Sequence, residues 1–174
     1  MKPLFIKSQL LPVGLVLCTL LPATVFAADV SMSDKAFLKK AAQSGHYEVQ
    51  GSNLALKKSK NADIQKFAKQ MVADHQKAEA ELKALAKTKN VELPPDPSFM
   101  QKGTLMLLET YSAKNFDDEY AENVGVDAHE ATVELFEKAA KDADDADIKQ
   151  FAQKTLPTLQ HHYEMSKKLD AMFD

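Results

Sequence analysis

Apolar residues recur every three to four positions through four long stretches of the chain. That is the period of a helix with one face turned to a core. The first stretch covers residues 34–58, with Ser33 placed to cap it and Phe37, Leu38, Ala41, Ala42, Gly45, Val49, Ser52 and Leu56 on one stripe. The second covers residues 62–88 behind Asn61, with Ile64, Phe67, Ala68, Met71, Val72, Ala78, Leu82 and Leu85 in line. The third, residues 116–141, carries Tyr120, Val126, Val133, Phe136 and Ala140. The fourth, residues 146–172, follows a cap at Asp144 or Asp145 and carries Ile148, Phe151, Ala152, Leu159 and Leu169. Pro157 lies inside it and is expected to kink it. Pro94, Pro95 and Pro97 cannot continue the second helix. Residues 90–114, with a short helix near 103–111, are long enough to travel the length of a bundle. The pattern predicts an all-α fold: a four-helix bundle of two helical hairpins joined by a long crossover.

The two hairpins share a signature. The ten residues from Asn61 to Gln70, NADIQKFAKQ, align with those from Asp145 to Lys154, DADIKQFAQK. Ala, Asp, Ile, Phe and Ala coincide and the remaining pairs are polar exchanges. Each copy opens the second helix of a hairpin, which points to an internal duplication.

The first residues have a different character. Lys2 and Lys7 precede an apolar run from Leu10 to Leu21, and Val25, Phe26 and Ala27 then supply a signal-peptidase site. The run is too short to span a bilayer comfortably, since about 20 residues are needed. Residues 1–27 are therefore expected to be a signal peptide cleaved after Ala27, leaving residues 28–174 as one helical domain in the periplasm with no membrane anchor. Cys18, the single cysteine, follows Leu17 rather than a small residue, so lipidation is not expected, and it leaves with the signal. Of the 22 basic residues two are in the signal, so the mature chain carries 22 − 2 = 20 against 25 acidic residues, a net charge of −5. All the basic residues are lysine. An acidic chain without arginine is a poor match for nucleic acid.

Four ionisable residues interrupt the apolar stripes, one per helix: Glu48, His75, His129 and His162. Counted from the hairpin turn at Asn61, Glu48 lies 13 residues before and His75 14 after; counted from Asp144, His129 lies 15 before and His162 18 after. At about 1.5 Å per residue each pair is level to within a turn. Three imidazoles and a carboxylate suit one divalent ion of zinc, iron, copper or nickel. A hydrogen-bonded core network, or an ion pair between Glu48 and one protonated histidine, accounts for the same residues without a metal. Both readings stay open at this point. His46, His161 and Glu164 sit on outward or flanking positions, Asp74 is placed to cap or orient a neighbour, and Tyr120 is assigned to core packing, its hydroxyl able to reach the site only if the helix bends.

The segments around Ala41–Gly45, Glu48–Val49 and Lys66–His75 resemble the exported bacterial family called domain of unknown function 4142. So do Phe116-Asp117 with Tyr120, His129, and Thr155–Leu159 followed by His162. The resemblance implies a ferritin-like bundle and an exported location, and no assigned activity. Di-iron ferritin-like proteins use Glu-x-x-His on two helices. Here Val72, Val126 and Leu159 stand three residues before the histidines, which argues against ferroxidase or oxygenase chemistry. No nucleophile elbow, phosphate loop or paired catalytic carboxylates occur. The sequence thus favours a periplasmic binding or stress-protective protein that holds a metal ion or small ligand between its helices, with a non-catalytic structural or interaction module as the alternative and a metalloenzyme the least favoured.

Overall fold

The computed structural model describes residues 29–173. The expected signal peptide and its cleavage point after Ala27 lie outside the described residues. The described chain is helical throughout, in the order α1 Met32–Lys58, α2 Ala62–Thr88, α3 Phe99–Thr110, α4 Ala113–Tyr120, α5 Ala128–Asp142 and α6 Ala146–Asp170. A π-helical stretch, Ala121–Asp127, joins α4 to α5 without a break. Counted as one, those three segments bring the total to five helices.

The helix starts follow from local chemistry. Asn61 Oδ1 accepts from the backbone N–H groups of Asp63 (2.8 Å) and Ile64 (3.3 Å). Asp145 Oδ1 accepts from Asp147 (3.0 Å) and Ile148 (3.2 Å) in the same way. The duplicated sequence therefore makes a duplicated cap. At the head of α1 the cap is Ser31, not the expected Ser33: its Oγ accepts from Asp34 N at 3.1 Å while its own backbone is extended. Asn61→Ala should cost about 1 kcal/mol, the usual loss when a capping side chain goes. Asp145→Ala should cost somewhat more, because Lys89 Nζ also reaches Asp145 at 2.7 Å. Urea unfolding of the two variants measures both, and equal stability to the parent would refute the capping role.

The four long helices form a square. Helix α1 packs on α2 and α5, and α6 packs on α5 and α2. Contacts between Phe37 and Phe136 and between Lys154 and Glu81 show that neighbours run antiparallel. Helices α2 and α5 lie on the diagonal and run the same way, so their connection must return along the whole bundle. Residues 89–112, with α3 inside them, do so against α1.

The core is divided by level. One apolar cluster gathers Phe37, Leu38, Leu82, Phe136, Ile148 and Phe151. The other gathers Ile64, Phe67, Met71, Phe116, Tyr120 and Val124. A polar layer of Glu48, His75, His129, Thr132 and His162, all buried, lies between them.

Some stripe positions differ from expectation. Val49, Leu56, Val126 and Ala140 are half-exposed, while Tyr47, Gly51, Ala55, Val124 and Gly125 are buried. For the third stripe the reason is the π-helical stretch: its wider turn inserts a residue into the register. The inward face therefore reads Tyr120, Ala121, Val124 and Gly125 before His129. The helix also begins at Ala113 rather than 116. Helix α6 continues through Pro157.

Candidate metal centre

All four sequence-selected residues converge in the polar layer, but not as four equivalent ligands. His75, His129 and His162 each offer one ring nitrogen within 4.8 Å of those of the other two. Their ring centroids are 5.2 to 5.6 Å apart. Glu48 stands outside this trio: its Oε2 lies 3.1 Å from His75 Nδ1, and its Oε1 accepts from Thr132 Oγ1 at 3.0 Å. The carboxylate lies beside one imidazole rather than in the common centre, and its buried Oε2 makes no hydrogen bond in the protein.

Each of the other two histidines is hydrogen-bonded through one nitrogen. His162 Nε2 donates to Asp74 Oδ2 at 2.9 Å, so Asp74 does orient a neighbour, on the adjacent α6. His129 Nδ1 faces two backbone carbonyls, Gly125 O at 2.8 Å and Val124 O at 3.2 Å. A carbonyl only accepts, so this nitrogen carries the proton. Both carbonyls belong to the π-helical stretch, where the widened turn leaves them open to a side chain. The remaining ring nitrogens, His75 Nε2, His129 Nε2 and His162 Nδ1, are buried and have no protein hydrogen-bond partner.

Burial sets the protonation states. It pushes His75 well below the ordinary histidine value, with the neighbouring His129 and His162 adding to the shift. Burial and the neighbouring His162 bring His129 down to about 4, against the two backbone hydrogen bonds. His162 is also lowered by burial, which Asp74 partly offsets. The three rings are neutral at pH 7, the form that ligates a metal. Glu48 is pushed up to about 8 by burial, against the Thr132 hydrogen bond.

The remaining residues fall into place around this centre. Tyr120 is fully buried and packs in the core, its hydroxyl 2.9 Å from Ser52 Oγ. His161 and Glu164 are exposed, and His46 is half-buried near Glu79. Thr132 was not singled out by the sequence, yet a signal was there. It stands 84 residues after Glu48, the same offset that relates the duplicated caps, 145 − 61 = 84. Equivalent positions of the two hairpins thus meet across the bundle.

A family model described as "Domain of unknown function (DUF4142)" matches residues 20–169. No curated protein is detectably similar in sequence. Among solved structures, a DUF305 fragment from Deinococcus radiodurans superposes with a TM-score of 0.72 at 10% identity, over 82% of this chain and 98% of that one. At that identity the likeness is one of fold.

Proposed function

The chain belongs to the DUF4142 family, and since that family has no assigned activity we propose from the site alone that the protein binds one divalent transition-metal ion through His75, His129 and His162. The observation that carries this is three buried histidines that each bring one ring nitrogen within 4.8 Å of the others' and each leave one ring nitrogen without a hydrogen-bond partner in the protein. A core network built only for structure would pair those nitrogens with one another or with donors. Leaving three buried acceptors unpaired costs on the order of 1–3 kcal/mol each, and a cation removes that cost.

The partners of the opposite nitrogens support the same reading. Metal-bound histidines commonly donate their second N–H to a carboxylate or a carbonyl, which fixes tautomer and ring orientation. Here Asp74 and the carbonyl of Gly125 occupy those places for His162 and His129, and Glu48 Oε2 stands 3.1 Å from His75 Nδ1. Glu48 is thus assigned as an orienting base for His75, and its ionised form with that of Asp74 offsets a double positive charge. Three nitrogen ligands suit zinc, iron, copper or nickel, with the fourth position left to water or another small ligand.

The test is titration of Co2+ into chelator-treated protein. One equivalent should develop visible ligand-field bands. His129→Ala should abolish them, and Glu48→Gln should weaken binding 10- to 100-fold. Absence of bands, or bands indifferent to His129→Ala, would refute the site.

We further read the single long crossover between diagonal helices as a ferritin-like topology, and the protein as exported and soluble in the periplasm. Mass spectrometry of the exported protein should find a chain beginning at Ala28. An intact N-terminus, or extraction only by detergent, would overturn the export reading.

A further inference from the structure

The histidine trio is buried, His129 and His162 completely, so an ion bound there needs a way in. Beside it lies a cavity of about 30 Å³, room for one or two waters. Glu48 and His75 line it on the inner side, and Gly45, Ala78 and Glu79 on the half-exposed side between α1 and α2. Ala42, Glu79 and Leu82 also line a surface groove of about 270 Å³, walled by His46 and by Pro94 of the crossover. The inner cavity and the outer groove therefore meet at shared residues.

Gly45 lines the inner cavity, one residue before His46 of the groove wall, for no packing reason. A Cβ added there would meet nothing within 4 Å, and no described glycine has a positive φ. Glycine inside a helix costs roughly 0.5–1 kcal/mol relative to alanine, so its presence calls for another account. Its counterpart in the second hairpin, by 129 − 84 = 45, is His129. One half of the duplicated framework supplies a ligand where the other supplies a gap. Around the gap are donors suited to a cation. His46 Nδ1 lies 3.7 Å from Glu79 Oε1 at the surface, and Glu48 Oε2 lies 3.1 Å from His75 Nδ1 inside. His46 is fixed by its Nε2 contact to Pro94 O at 3.2 Å. Lys83 pairs with Glu79 and must swing away for a cation to take its place.

We propose that His46 and Glu79 form an entry station for the divalent cation, from which it passes the gap at Gly45 to Glu48–His75 and on to the trio. This rests on the metal reading above and adds a route to it. A route governs rate, whereas ligands govern affinity, and the two separate experimentally.

Co2+ loading of chelator-treated full-length protein, followed by stopped-flow absorbance, tests it. Gly45→Leu should slow loading and chelator-driven release together by tenfold or more, with the final spectrum and equilibrium affinity unchanged. Gly45→Ala, smaller and free of contacts, should fold at least as stably as the parent and slow loading less. Glu79→Gln should slow loading, and Lys83→Gln should speed it, again at constant affinity. If Gly45→Leu loads and releases at the parental rate, the route is wrong while the metal site stands. A Gly45→Leu spectrum that differs from the parent would also overturn it, since Gly45 would then shape the site rather than its access. If the parent takes up no Co2+, the metal site itself fails and the route with it.

Discussion

The metal-free protein should be most stable near pH 6.5 and lose stability on both sides. On the acid side the three imidazoles decide. Their folded values lie below the ordinary 6.5, with His129 at about 4. As the pH falls below 6.5 the unfolded chain takes up as many as three protons that the buried rings exclude. Glu48 acts in the opposite direction, because its folded value of about 8 stands above its ordinary 4.5. Between 4.5 and 6.5 the folded protein keeps one proton that the unfolded chain releases. The net difference approaches two protons in favour of the unfolded state, so stability falls with falling pH by up to about 3 kcal/mol per unit. Above 6.5 the histidines are neutral in both states and only Glu48 differs. The folded state then holds the extra proton, and stability falls by roughly 1.4 kcal/mol per unit until about pH 8, where the slope ends. Chemical unfolding from pH 5 to 9 in the presence of a chelator measures the profile. Glu48→Gln should remove the alkaline limb and keep the acid one. A flat parental profile between 6.5 and 8 would mean that Glu48 is ionised in the folded protein.

Gly125→Ala should both destabilise the protein and impair metal binding. An added Cβ would lie 2.9 Å from Ser166 Cβ and 3.8 Å from Ser166 Cα. The obstacle sits at the root of a side chain on α6, so the π-helical stretch or α6 must move as a unit. Overpacking of this kind costs about 1–3 kcal/mol. The carbonyl of Gly125 also receives the His129 Nδ1–H at 2.8 Å, so displacement of this backbone turns the ring. Loss of such an orienting contact typically lowers metal affinity 10- to 100-fold. Ser166→Gly in the same chain restores the space and should recover both properties. Failure of that double variant to recover, or parental affinity in Gly125→Ala, would show that the close approach does not position His129. Gly45→Ala is the contrasting case, with open space around the new Cβ and an expected small gain in stability.

The sequence by itself determined what depends on neighbours along the chain. Helical period located the long helices, and Asn61 announced its own helix start, as the Asp144-Asp145 pair did to within one residue, because a cap is made with residues two and three positions away. Equal counts from a hairpin turn brought Glu48 to His75, since antiparallel helices with a short turn leave almost no freedom of level. The inward polar residues were legible as exceptions to an apolar stripe. The tertiary structure decided the rest. Reading His129 as part of a regular stripe with Val126 failed, because a π-helical stretch changes the period by one residue and nothing in the local composition marks it. Asp74 and His162 meet from two helices that are not joined by a turn, so their contact depends on how α2 and α6 slide against each other. Whether Glu48 joins the trio or stands beside one member of it, 3.1 Å from His75 Nδ1, depends on where the carboxylate ends. Periodicity resolves a face of a helix, but the reach and tilt of packed side chains fix the partner.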